Sequence, residues 1–146
     1  MSYTCLNYHI MFSTKQRRGL ITPAVLPRLC AYLGGMIKTQ GGRPIEINGP
    51  EDHIHIIASL SPRISISDCM RDLKANSTNW IHETFRQLRA FYWQDGYSAF
   101  SVSPSALQNV VKYVKNQQEH HRKVSFEEEL KRLLDSHGIE YDERYL

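Results

Sequence analysis

A chain of 146 residues, 41% hydrophobic and 23% charged, suits one ordinary domain with its own core, and neither disorder nor a disulfide-stapled miniature is implied. No apolar run approaches the ~20 residues of a membrane helix, and residues 1–7 lack a signal-peptide layout, so a cytoplasmic protein with no membrane partner is expected. The net charge of +3 is uneven: residues 1–123 carry fifteen Lys/Arg against eight Asp/Glu (+7) and residues 124–146 three against seven (−4), a basic body suited to a polyanion and an acidic tail. Cys5, Cys30 and Cys69 are widely spaced with no CxxC pair, which speaks against a disulfide framework or a cysteine zinc site.

Residues 4–14, with Tyr8, Ile10 and Phe12, read as a strand. From Thr22-Pro23 the apolar spacing Val25, Leu26, Leu29, Leu33, Met36 predicts a helix that stops at Gly41-Gly42. Residues 44–48 and 53–60 read as two strands of a hairpin around Gly49-Pro50-Glu51-Asp52. A second long helix is predicted from Ser65 or Ser67 to Leu88. Residues 92–102 read as a hairpin or as one extended strand broken at Gln94-Asp95-Gly96. Further helices are expected from Ser103-Pro104 to about His120 and over residues 126–136, stopping at Gly138. The order β-α-β-β-α-β followed by helices is the ferredoxin-like, split βαβ arrangement, an α+β fold shared with RNA-recognition motifs, in which an antiparallel sheet has helices on one face. We read it as one domain, with a core over 1–102, a tyrosine-bearing helix over 103–121 and an acidic helix and tail over 122–146.

Two segments carry chemistry. In Asp52-His53-Ile54-His55-Ile56-Ile57 the period of two sends His53 and His55 to one face and Ile54 and Ile56 to the other. Two imidazoles about 7 Å apart at Cα can converge on one divalent ion. The same pattern also fits two polar residues on the wet face of an amphipathic strand. In the following helix, Leu107, Val110, Val111 and Val114 form the apolar stripe. Tyr113 and Gln117 lie one turn apart on its flank. There a phenol can serve as nucleophile and an amide oxygen as a hard ligand, or the tyrosine can simply edge the core.

Taken in order, these blocks resemble the single-tyrosine HUH transposases of the insertion-sequence 200/605 type, with their REP-associated relatives. The resemblance spans nearly the whole chain. Tyr8-His9-Ile10-Met11-Phe12-Ser13-Thr14-Lys15-Gln16-Arg17-Arg18 is similar to the family's opening strand, and Asp52-His53-Ile54-His55-Ile56 to its histidine-hydrophobic-histidine motif. Residues 64–74 resemble the second helix, residues 93–103 the last-strand block, and Tyr113-Val114-Lys115-Asn116-Gln117 the tyrosine motif. The resemblance implies that His53, His55 and Gln117 hold Mg²⁺ or Mn²⁺ and that Tyr113 is the nucleophile. It implies cleavage and rejoining of single-stranded DNA near hairpins at element ends, through a 5′-phosphotyrosine. It also implies a homodimer, and we expect active sites formed in trans. No glycine interrupts residues 101–105, so any hinge there is built from serines, Val102 and Pro104.

Lys15, Arg17 and Arg18 at the end of the first strand, and Lys74 in the second helix, are candidate phosphate contacts. A solvated charge cluster is the alternative for the first three, and an ordinary helix-surface lysine for Lys74. Trp93, Tyr97 and Phe100 are candidates for stacking on bases, with at least one expected in the core. His120 and His121 are read as surface residues near DNA, and the acidic run 127–129 as a solvated helix face or a cover for the basic surface. Competing readings are a non-catalytic nucleic-acid-binding module, a domesticated relative that processes chromosomal palindromes, and a metal-dependent phosphohydrolase without a covalent intermediate.

Overall fold

The computed structural model describes residues 1–146 and contains four strands and five helices. Strands β1 (Asn7–Ser13), β2 (Arg43–Asn48), β3 (His53–Ser59) and β4 (Ser98–Ser101) form one antiparallel sheet in the order β2-β3-β1-β4. Helices α1 (Leu26–Thr39) and α2 (Ile66–Thr84) fill the two crossovers. The ferredoxin-like arrangement expected from the element order is therefore present. No helix is long and apolar enough to cross a membrane.

Alternation along the strands divides the residues between two faces. Ile10, Phe12, Ile54, Ile56 and Ala58 face α1 and α2 and merge with Leu29, Leu33, Ile37, Met70 and Leu73 into the main core. The cap of α2 is chemical: the Ser65 hydroxyl accepts from the Asp68 N–H at 3.0 Å, meeting one of the unpaired donors of the first turn.

The other face is not open. Helix α3 (Leu107–Lys115) lays Val111 and Val114 on Ile57, with Ile45 beside them, across a bulge between Pro44 and Glu46. Helix α5 (Phe126–Ser136) lays Phe126, Leu130 and Leu134 on Met11 and Phe100. Helices thus cover both faces, and the second pair encloses the row His9, Met11, Ser13, His53, His55.

Three expected boundaries differ. Only residues 98–101 of the stretch 92–102 run as a strand, because the Trp93 ring turns into the core against Phe12 and Phe91 and its N–H donates to Ser77 Oγ at 2.9 Å. Gly96 then turns the chain at φ +86°. The long α2 stops at Thr84, followed by a 3₁₀ turn over Arg86–Leu88. The tyrosine helix is broken at Asn116, and α4 (Gln117–His120) is a separate turn. The break has a tertiary cause: Asn48 Nδ2 donates to the Val114 and Lys115 carbonyls at 2.9 and 3.2 Å, and Gln118 Nε2 returns a bond to Asn48 Oδ1 at 2.8 Å. These contacts clamp the end of α3 to the β2–β3 turn.

That turn is tight. A Cβ on Gly49 would overlap the His53 carbonyl oxygen and stand 3.0 Å from Ile54 Cα, both backbone atoms. Gly49→Ala is expected to destabilise the protein by about 2 kcal/mol, a drop in thermal midpoint of roughly 5 °C. An unchanged midpoint by calorimetry would contradict this packing.

Candidate active site

The β3 residues His53 and His55 are fully buried on the face that α3 and α5 cover. Their Nε2 atoms lie 3.2 Å apart, so the convergence anticipated from the strand period is realised. Each ring is fixed through its other nitrogen. Asp52 Oδ1 is 2.7 Å from His53 Nδ1, and His9 Nε2 is 2.7 Å from His55 Nδ1. His9 reaches His55 from β1, where its near neighbour Met11 is paired directly with His55.

At the centre lies the carboxylate of Glu129, 1% exposed, brought in by α5. Its Oε1 is 2.9 Å from His53 Nε2, 3.0 Å from His55 Nε2 and 2.8 Å from His121 Nε2. Its Oε2 accepts the Tyr113 hydroxyl proton and, at 3.1 Å, a bond from Gln117 Nε2. His120 Nε2 lies 3.3 Å from the Tyr113 oxygen. Gln117 also donates to the Tyr113 carbonyl at 3.4 Å, across the helix break. Gln117 Oε1 is buried and has no hydrogen-bond partner, which leaves a strong acceptor unpaired.

Electrostatics follow burial and charge. Burial alone would push the Glu129 carboxyl up, yet bonds from His121, His53 and His55 together hold it far below the usual carboxylate range. Burial, then the His53 charge among others, pulls His55 down to about 4; burial and His55 take His9 to about 3, so both are neutral. Burial opposes protonation of His53, but Asp52 and Glu129 overcome it and raise its pKa. Burial and the adjoining Glu129 push the Tyr113 phenol well above its ordinary value, so the hydroxyl keeps its proton at neutral pH.

The donor set suits a divalent ion. One ligand atom each from His53, His55, His121 and Glu129 all lie within 4.8 Å of one another. Four tetrahedral metal–ligand bonds of about 2.1 Å would separate the donors by about 3.4 Å, inside the 4.8 Å that spans these four atoms.

The structure therefore brings His53, His55, Tyr113 and Gln117 into one cluster, and all four come from a single chain. The sequence reading missed four members, among them His120, expected at the surface and found beside the Tyr113 hydroxyl. His121, expected at the surface, has a side chain 8% exposed and points inward at Glu129. The run 127–129 is not wholly a solvated face, because Glu129 is its buried member. A signal existed: Glu129 falls three residues after Phe126 and beside Leu130, within the apolar stripe of its helix. His9 shares strand parity with Met11, the residue opposite His55.

The remaining candidates lie outside the cluster. Lys15 and Arg18 are exposed, in a turn where Gln16 and Arg17 take left-handed φ of 58° and 53°. Arg17 pairs with Glu127 at 3.5 Å and lies over the Phe126 ring. Lys74 Nζ is engaged, donating to the Gln94 and Gly96 carbonyls at 2.6 and 2.7 Å. Of the aromatics considered for stacking, Trp93 and Phe100 are buried and Tyr97 is exposed. Two clefts flank the cluster. One of about 610 Å³ borders Asp52 and His121 with Arg17 and Arg122 in its wall; one of about 490 Å³ borders His9 and Tyr113.

Comparison with known proteins adds to this geometry. The sequence profile of the family described as transposase IS200 like matches residues 2–117. Over 117 residues the chain is 28% identical to the transposase for insertion sequence element IS200 of Salmonella typhimurium, covering 77% of this chain and 76% of that protein. It is 25% identical over 117 residues to the ISDra2 transposase TnpA of Deinococcus radiodurans, covering 77% and 84%. Two solved structures share the fold. One is a protein of Deinococcus radiodurans provisionally assigned as a transposase, with TM-score 0.67, 22% identity and 80% and 93% coverage. The other is a REP-associated tyrosine transposase bound to a REP hairpin, with TM-score 0.62, 15% identity and 85% and 73% coverage.

The bonds of Lys74 generate a test of its role. Lys74→Met should lower the thermal midpoint by several degrees, since two charge-assisted bonds that brace the loop before β4 are lost. Its effect on single-stranded DNA affinity should stay under about twofold, whereas a lysine bound directly to phosphate would also flatten the salt dependence. A normal midpoint with much weaker DNA binding would reverse the assignment.

Proposed function

The chain belongs to the IS200-like transposases, and we propose that it cuts and rejoins single-stranded DNA with Tyr113 as nucleophile and a divalent ion, Mg²⁺ or Mn²⁺, held by His53, His55 and Gln117. One observation carries the reading: a single carboxylate, Glu129, touches the Tyr113 hydroxyl with one oxygen and the His53 and His55 nitrogens with the other. The nucleophile and the histidine pair are thus separated by the span of one small bidentate oxyanion. A phosphodiester presents the same pair of oxygens. The unpaired Gln117 Oε1 supports its place as a third donor.

When bound, such an ion neutralises phosphate charge and polarises the phosphoryl group. The chain's own residues do the rest. Tyr113 Oη attacks phosphorus; the new P–O bond to tyrosine forms as the bond to the 3′-oxygen breaks. The phenolic proton has an acceptor in reach in the His120 imidazole, 3.3 Å from the hydroxyl, and the departing 3′-oxygen takes up a proton to become a 3′-OH. The 5′-phosphotyrosine keeps the bond energy, so attack by a 3′-OH reverses the step and frees Tyr113. Asp52 and His9 hold the two histidines with their Nε2 atoms facing inward.

The two flanking clefts give a strand room beside the cluster, with Arg17 in the wall of the first, and we keep the exposed Lys15 and Arg18 of the same turn as candidate phosphate contacts. We extend hairpin recognition to this chain from its relative bound to a REP hairpin. The resemblance implied a dimer with sites in trans. We propose that assembly, and as the second reading a site completed in cis, favoured by the Asn48 clamp and Glu129, which hold Tyr113 beside the histidines within one chain. A homodimer through the free edge of β2 or β4 would leave each site whole.

Tyr113→Phe should give no covalent protein–DNA adduct on a denaturing gel with single-stranded hairpin DNA and Mn²⁺. DNA affinity should stay within about twofold, because only the hydroxyl is lost. An adduct at the wild-type level would sink the assignment. For assembly, a His53→Ala/His55→Ala chain mixed with a Tyr113→Phe chain should remain inactive if sites are in cis; recovered cleavage would establish sites in trans.

A further inference from the structure

The family match ends at Gln117, yet two of the side chains that converge with His53 and His55 come from beyond it. We infer that in the DNA-free chain His121 and Glu129 complete, with His53 and His55, a four-donor site for one first-row transition ion, and that filling this site docks helix α5 on the sheet. The inference rests on the metal dependence proposed above and deepens it by naming donors and ion class.

The geometry is that of a coordination shell. Glu129 Oε1 stands 2.8–3.0 Å from three imidazole Nε2 atoms, and two of those are 3.2 Å from each other. Four ligands sharing one ion at about 2.1 Å sit about 3.4 Å apart, a few tenths of an ångström wider than these contacts. Two of the rings are already oriented from behind, by Asp52 and His9, at 2.7 Å each. Such outer partners are the usual companions of metal-bound histidine.

Burial points the same way. A carboxylate 1% exposed has given up water and needs positive charge nearby. The nearest Arg–carboxylate pair on the same helix involves Glu127 and Arg17 at the surface, so arginine does not serve Glu129. Three imidazole nitrogens with one carboxylate oxygen form a donor set for first-row transition ions, binding Zn²⁺ and Co²⁺ more tightly than the harder Mn²⁺, whereas Mg²⁺ favours oxygen-rich, hydrated sites. Beyond this carboxylate, α5 is held by Phe126, Leu130 and Leu134 and by the Arg17 contacts. An ion bridging Glu129 to β3 therefore adds a tie between the helix and the sheet.

The test is calorimetric titration of the full chain with MnCl₂ and, separately, MgCl₂, without DNA. One Mn²⁺ per chain is expected, bound at least about tenfold more tightly than Mg²⁺. Glu129→Gln, which keeps the side-chain shape, and His121→Ala should each weaken Mn²⁺ at least about tenfold. Hydrogen exchange supplies a second readout: Mn²⁺ should slow amide exchange across residues 126–136 in the wild type and not in Glu129→Gln. Should Glu129→Gln fail to fold, His121→Ala carries both measurements. Mn²⁺ affinity unchanged in these two variants but lost in His53→Ala and Gln117→Ala would overturn this inference and leave the proposed ligand set standing. Affinity unchanged in all four would remove the metal site altogether, and equal Mg²⁺ affinity would refute the ion class.

Discussion

A carboxylate buried among imidazoles organises the second face of this sheet. Moving Glu129 out of water is costly, and the cost is offset only because His53, His55 and His121 meet one oxygen while Tyr113 and Gln117 meet the other. Those five partners come from β3, α3, α4 and the turn after α4. Their relative placement, more than any one helix, defines the site. The apolar contacts of α5 bring the carboxylate close, and the polar contacts set its orientation.

Around that centre the sheet acts as a rigid frame. Strand parity places His53 and His55 on one side, and the isoleucines between and beyond them anchor that strand in the main core. The strand therefore cannot turn its histidine face away without moving Ile54 and Ile56, both fully buried, while the rings themselves are held by Asp52 and His9. The two rings differ in their backing. Asp52 puts an anion behind His53, whereas His9 puts a neutral ring behind His55, and the pKa directions of the two histidines diverge accordingly.

Much of this was legible in the residues. Period-two alternation in His-Ile-His and period-3.6 spacing in α3 are local signals, and both survive folding because the core imposed them. The tyrosine stood off the apolar stripe, and the structure finds it facing the histidines. What was not legible depends on contacts distant in sequence. Nothing near Asn116 announces a helix break; the cause is Asn48, well removed in the chain. His121 and Glu129 looked like surface residues because polar side chains usually are, and only the fold shows that both turn inward. By sequence Lys74 is a candidate phosphate contact, and in the fold its Nζ donates to the carbonyls of Gln94 and Gly96 in the loop before β4.

The order in which these pieces occur along the chain has a consequence during synthesis. The elements of the main core, β1, α1, β2, β3 and α2, emerge from a ribosome before β4, α3 and α5. A domain generally folds as a unit, so the sheet waits for its later elements. The histidine row thus spends part of the protein's birth uncovered, with its nitrogens open to whatever ions surround the nascent chain. Residues 126–136 arrive last among the helices, so Glu129 can join His53, His55 and His121 only after nearly the whole chain has been made.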